Sequence, residues 1–191
     1  MPDLADAYLQ AGVRFLQLRA KDAPARDVLA WTDAIASRAG ADALVIVNDR
    51  VDIALAAGTR HVHLGQDDLP VEEARRLLGE AAVLGISTHT AAQVADACRC
   101  GADYIAVGPV FGTQTKDTGY VPVGLTLVRQ AREQAAALGG RPIVAIGGIT
   151  VASAAEVIEA GADAVVVISD LLVGGGPPAR VREFLRVLGE A

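Results

Sequence analysis

Apolar and β-branched residues gather into seven short runs, at 15–19, 44–49, 61–65, 83–88, 104–110, 142–148 and 164–169. Between the runs, apolar positions recur every three to four residues, the spacing of a helix with one buried face. In 24–38 the residues Val28, Trp31 and Ile35 follow that period on to Ala39, and Pro24 stands where a first helical turn tolerates proline. Helices are likewise predicted at 50–57, 70–78, 91–98, 124–138, 151–160 and 178–188, with one more ending at Gly12. Short apolar runs alternating with helices through short connections imply parallel strands and right-handed crossovers.

A local signature recurs four times on this frame. Ala11-Gly12, Ala57-Gly58, Cys100-Gly101 and Ala160-Gly161 each close a helical stretch, and an apolar run follows two residues later. Glycine just past a helix end accepts the left-handed conformation that stops the helix. Four such quarters predict an α/β chain folded as an eightfold (β/α)8 TIM barrel, a single domain over residues 1–191. Seven runs are found for eight strands, so the barrel is expected to lack its first β-strand in this chain. Open edges at 15–19 and 164–169 would lower stability or be covered by a second copy in a homo-oligomer.

Composition narrows the function. Hydrophobic residues make up 52% and aromatics only 4%, which suits parallel strands buried on both faces. A formal net charge of −6 argues against nucleic acid as a partner. A few basic residues can still set a local field for a small anion. Cys98 and Cys100 stand one residue apart, a spacing that suits neither a zinc site nor a disulfide framework, and read as reduced thiols of a cytoplasmic protein. No signal peptide is visible in the acidic, mixed stretch Met1-Pro2-Asp3-Leu4-Ala5-Asp6. No apolar run approaches the roughly 18 residues of a membrane span.

In such barrels the working residues lie at the carboxyl ends of strands and in the loops after them. Those places hold Gln17, Arg19, Lys21, Asn48, Asp49, Gln66, Asp67, Asp68, Ser87, Thr113, Thr115, Lys116, Gly147, Gly148 and Ser169. Cations, carboxylates, hydroxyls and exposed amides together suit a phosphate ester with a divalent cation. Asp49 and Asp68 end neighbouring strand units, and Mg2+ needs few carboxylates beside water and phosphate oxygens. Equally, Asp49 can cap the helix starting at Arg50, and Asp67 or Asp68 the one at Pro70. Arg19 offers a planar fork and Lys21 a movable point charge at one strand end. Gly112-Thr113-Gln114-Thr115-Lys116 is either a ligand loop or a solvated one. Gly147-Gly148 and Ser169 close the last two runs, where the fold often binds phosphate; a tight turn explains the glycines as well. His61, His63 and His89 have no third ligand at metal spacing and read as hydrogen-bonding residues.

The ordered set Gln17-Leu18-Arg19-Ala20-Lys21, Asn48-Asp49, His63-Leu64-Gly65-Gln66-Asp67-Asp68, Gly85-Ile86-Ser87-Thr88-His89, Gly108-Pro109, Thr113-Gln114-Thr115-Lys116 and Ala145-Ile146-Gly147-Gly148 resembles the thiamine phosphate synthase family over nearly the whole chain. The resemblance implies a transferase that couples 4-amino-2-methyl-5-(diphosphooxymethyl)pyrimidine with 4-methyl-5-(2-phosphooxyethyl)thiazole, releasing pyrophosphate. It implies that Gln17, Leu18, Arg19, Ala20, Lys21 and Asn48 hold the pyrimidine diphosphate, and that Asp49 and Asp68 bind Mg2+. Arg19, Lys21, Ser87 and Lys116 are implied as the catalytic contacts to pyrophosphate. Thr113, Gln114, Thr115, Gly147, Gly148, Ile168 and Ser169 are implied to hold the thiazole phosphate.

Asp170 departs from the family pattern, where a small or apolar residue is expected after Ser169; it is expected to turn away and cap the segment 171–173. The loop 117–123 also differs in composition. Within the fold, the rival is the thiazole tautomerase relative, which carries a histidine where this chain has Pro109. A truncated barrel that binds phosphate ligands without turnover is the reading from another class.

Overall fold

The computed structural model describes residues 1–112, 121–174 and 176–189. By its internal contacts the chain forms two compact units, Met1–Leu84 and Gly85–Ala191. In the first, α1 (Pro2–Gln10) precedes β1 (Phe15–Leu18), followed by α2 (Ala25–Ala39), β2 (Leu44–Asn48), α3 (Val51–Ala56), β3 (Val62–Leu64) and α4 (Val71–Leu78). β2 pairs in parallel with β1, Leu16 beside Val45, and with β3, Val47 beside Val62. Its Val45, Ile46 and Val47 are buried, as expected of a strand covered on both faces. Ile35 of α2, Ala54 of α3 and Leu78 of α4 are buried too. Each full burial of such an aliphatic side chain is worth roughly 1.5–3 kcal/mol.

The second unit carries β4 (Leu84–Thr88), α5 (Ala91–Ala97), β5 (Tyr104–Val107), α6 (Gly124–Ala137), β6 (Ile143–Ile146), α7 (Val151–Glu159), β7 (Ala164–Val166), a 3-10 turn (Ser169–Leu172) and α8 (Pro177–Val187). Its strands pair in parallel in sequence order, with Gly85 beside Tyr104, Ala106 beside Val144 and Ala145 beside Val165. Val94, Ile105, Val107, Val128, Ile143, Ala154 and Val157 form its core.

All seven expected runs are strands, and the repeated glycines behave as the pattern predicts. Gly12, Gly58, Gly101 and Gly161 have φ of 112°, 71°, 79° and 111°. The runs end earlier than their apolar character suggests. Asp49, with φ +62°, leaves the extended region and stops β2 at Asn48. Gly147 and Gly148, at +101° and +65°, stop β6 at Ile146 in the same way. Pro109 has no N–H to give a ladder, and β5 ends at Val107. Pro24 stands just outside α2, as its N-cap.

His61 and His89 hold backbone, as expected. The Val83 N–H donates to His61 Nδ1 at 3.0 Å, and His89 Nδ1 donates to the Gly108 carbonyl at 2.5 Å. Cys98 and Cys100 are free thiols. Among the described residues no helix is long and apolar enough to cross a membrane.

Candidate functional site

In the first unit the carboxyl ends of the strands bring together one ammonium and two carboxylates. Arg19, Ala20 and Lys21 lie beyond the end of β1, in the loop that follows it. Gln17 is half-buried on β1, and Leu18 points into the core at 2% exposure, so only its backbone is available to a ligand. Lys21 Nζ lies 2.7 Å from Asp49 Oδ2. Arg19 makes no ion pair among the described residues.

Asp49 is one of two non-glycine residues with positive φ among those described. Aspartate visits that region more readily than most L-residues. Its N–H donates to the His63 carbonyl at 2.8 Å, which holds the turn against β3. Burial works to raise its carboxyl, but Lys21, Asp68 and Asn48 outweigh burial and keep it below the usual carboxylate range. Asp68 moves the other way. Burial raises it, and the neighbouring Asp49 raises it further, against the lowering effects of the Gly65 N–H and Lys21. Its Oδ2 accepts from Gly65 N–H at 2.7 Å, which closes the loop around it.

The capping alternative does not hold for these aspartates. The N-cap of α3 is Arg50 and that of α4 is Pro70, and neither helix has a side-chain cap. Two hydrogen-bonded carboxylates with opposed shifts are groups that share one negative charge easily and two with difficulty. A divalent cation relieves that repulsion, and an all-oxygen carboxylate pair is the donor chemistry that suits Mg2+. No group of three or more His, Cys, Asp or Glu able to hold a metal occurs among the described residues. The residues therefore fit an ion completed by substrate oxygens rather than one caged by protein.

In the second unit, glycines bring two loops into contact. Val110 N–H donates to the Ile146 carbonyl at 2.9 Å, and Phe111 N–H to Gly147 at 3.0 Å. A Cβ at Gly148 would lie 2.5 Å from the Gly112 carbonyl, and one at Gly147 2.6 Å from Pro109. Glycine is required at both positions, by the approach as well as by φ. The loops after β5 and β6 are thus laid side by side, and Gly112 leads directly towards 113–116. Thr113, Gln114, Thr115 and Lys116 lie outside the described residues. Ser87 is half-buried on β4; Ile168 and Ser169 are exposed at the start of the 3-10 turn.

Asp170 does turn away, but not onto 171–173. The 3-10 turn has Ile168 at its N-cap and no side-chain cap. Asp170 Oδ2 instead accepts from the Val151 N–H of α7 at 3.2 Å and pairs with Arg180 of α8 at 2.8 Å. The sequence reading did not single out Arg180. The signal that could have found it is the carboxylate itself, since an aspartate in a phosphate loop needs a cation.

Comparisons with known proteins bear on the family and the fold. A family model described as thiamine monophosphate synthase matches residues 1–171. The thiamine-phosphate synthase of Roseiflexus castenholzii is 42% identical over 189 residues, covering 98% of this chain and 81% of the relative. That of Methanoculleus marisnigri is 44% identical over 183 residues, covering 95% and 85%. Among solved structures, the thiamine phosphate pyrophosphorylase of Pyrococcus furiosus superposes with TM-score 0.88 at 30% identity, over 99% of this chain and 89% of that one. The chain therefore belongs to the thiamine monophosphate synthase family of transferases.

Proposed function

We propose that the protein couples 4-amino-2-methyl-5-(diphosphooxymethyl)pyrimidine with 4-methyl-5-(2-phosphooxyethyl)thiazole to give thiamine phosphate and pyrophosphate. The alternation of parallel strand and helix in each unit supports the (β/α)8 barrel as its fold class. The observation that carries the functional reading is the Asp49–Asp68 pair with Lys21 seated on it.

Gln17, Arg19, Lys21 and Asn48 would hold the pyrimidine diphosphate, with Ser87 and Lys116 completing the pyrophosphate contacts. Asp49 and Asp68 would hold Mg2+, which when bound supplies positive charge opposite the leaving diphosphate. Lys21 has two carboxylates within its field and can pass its hydrogen bond from Asp49 to an incoming phosphate oxygen. The reaction needs no strong base. An electron-rich aminopyrimidine stabilises the methylene cation left when diphosphate departs, and the thiazole nitrogen attacks that carbon. The protein's share is to neutralise charge on the leaving group and to hold two substrates in line. Gly147, Gly148, Ile168 and Ser169, with Thr113, Gln114 and Thr115, would take the thiazole phosphate, partly through backbone amides.

The test supplies both substrates with Mg2+ and follows thiamine phosphate. Wild type forms it, and Asp49→Ala lowers kcat by about a hundredfold or more, the scale of removing a preorganised charge partner. Undiminished turnover of Asp49→Ala refutes the metal assignment. Calorimetric binding of either substrate without product would point to a non-catalytic binder.

A further inference from the structure

A carboxylate beside a phosphate subsite opposes its ligand unless its charge is masked. Asp170, next to Ser169, is such a carboxylate. Its Oδ2 accepts from Val151 N–H at 3.2 Å, from Arg180 Nη2 at 2.8 Å and from Arg180 Nε at 3.1 Å. Arg180 Nε also donates to the Asp170 carbonyl oxygen at 3.2 Å, so one guanidinium holds both ends of the residue. Arg180 is itself held from the other side by Glu183, and its guanidinium carbon lies 6.0 Å from the centre of the Phe184 ring. The side chains of Arg180 and Asp170 are only 22% and 12% exposed.

The helix that Asp170 touches has no need of a further anion. At the start of α7, Thr150 and Ser153 form a reciprocal capping box, in which Thr150 takes the Ser153 amide. Asp170 takes the amide of Val151. A phosphate reaching for the Val151 amide would have to displace this built-in carboxylate. Val151 and Ser153 in the first turn are thus taken, and the same carboxylate ties the 3-10 turn to α7 and α8.

We propose that Arg180 is a positioning residue for the phosphomonoester: it holds Asp170 against the N-terminus of α7 and masks the charge of that carboxylate from the ligand. This rests on the synthase reading for the identity of the ligand. The consequence is asymmetric. Loss of Arg180 alone leaves the Asp170 carboxylate uncompensated next to Ser169, whereas neutralising Asp170 as well removes that charge.

Steady-state kinetics on the full chain separate this from a purely structural role. In Arg180→Met the KM for the thiazole phosphate rises by about tenfold or more, while kcat and the KM for the pyrimidine diphosphate stay within about twofold. Adding Asp170→Asn to Arg180→Met brings the thiazole phosphate KM back to within about threefold of wild type. A structural brace predicts the opposite, a double variant at least as impaired as the single. An unchanged KM in Arg180→Met, a parallel rise for both substrates, or no recovery in the double variant overturns the proposal. Should Arg180→Met not fold, Arg180→Lys keeps the charge without the fork and is expected to show a smaller rise of the same selectivity. If wild type forms no thiamine phosphate, the synthase reading fails, and the pair is judged by titrating the three proteins with inorganic phosphate. Weaker binding in Arg180→Met that the double variant restores supports it; equal binding in all three, or none, overturns it.

Discussion

Asp49 ends a buried strand in a conformation that costs an L-residue about 1–2 kcal/mol, and three neighbours share in holding it there. His63 takes its amide, Lys21 its carboxylate, and Asp68 meets it side by side. The two carboxyls respond to pH in opposite senses. Asp49 lies below its ordinary value, so its contribution to stability is present above that value and lost as pH falls through the lowered one. Asp68 lies above its ordinary value, so the folded state holds a proton that the unfolded state releases sooner; its contribution falls as pH rises through the raised value. Above the raised value of Asp68, and without divalent cation, both carboxylates are charged, and Lys21 compensates only part of the repulsion. Asp68→Asn is therefore expected to raise Tm at pH 7 in chelator by a few degrees, given about 2–4 °C per kcal/mol for a chain of this size. The gain shrinks as pH falls through the raised value, where wild-type Asp68 takes up its proton. Mg2+ should raise the Tm of wild type more than that of Asp68→Asn. A lower Tm for the variant at pH 7 would mean that the carboxylate's bond to Gly65 N–H outweighs the repulsion.

At the scale of elements, the pairing of β4 with β5 depends on a size match. Gly85 lies opposite Tyr104, and a Cβ at Gly85 would come within 2.0 Å of the Tyr104 ring. The ring is 6% exposed and has little space to retreat. Gly85→Ala should cost about 1–3 kcal/mol by overpacking. The double variant with Tyr104→Val should be less destabilised than the sum of the singles by about 1 kcal/mol, measured by urea unfolding. Simple additivity would show that the ring moves aside freely. The positions of such strands were legible in the sequence, because a buried parallel strand needs a local run of apolar residues. Their ends were not. The run 104–110 stops at Val107 because Pro109 cannot join a ladder and Gly108 packs on the Ile146 carbonyl, and the second cause lies in the next β/α unit. The candidate site divides in the same way. Asp49, Asp68 and Lys21 were visible from their places after strands, whereas the conformation that turns Asp49 toward Lys21 was not. Arg180 was invisible because its partner is near in space and ten residues away in sequence.

For the whole molecule, the question is how a chain with net charge −6 attracts two phosphorylated substrates. Long-range and short-range fields have opposite signs here. At about 0.01 M ionic strength the Debye length is roughly 30 Å, so an approaching diphosphate feels the net charge of the molecule and is repelled. Near physiological ionic strength the length falls to about 8 Å, and the distant carboxylates are screened before the ligand arrives. Cations within that distance of the bound diphosphate, Lys21 and Arg19 among those proposed to hold it, are screened far less, because ligand and cation then meet with little water between them. The value of kcat/KM for the pyrimidine diphosphate should accordingly rise about two- to threefold between 0.01 and 0.15 M salt at fixed free Mg2+. It should fall again above about 0.5 M, as screening reaches the site itself. Replacing exposed acids on the amino-end side of the strands, such as Asp42 before β2 and Glu80 after α4, by asparagine and glutamine should flatten the rising limb and leave the falling limb in place. A steady decline from the lowest salt upward would show that the cations at the strand ends already govern the approach at long range, and that net charge has no part in it.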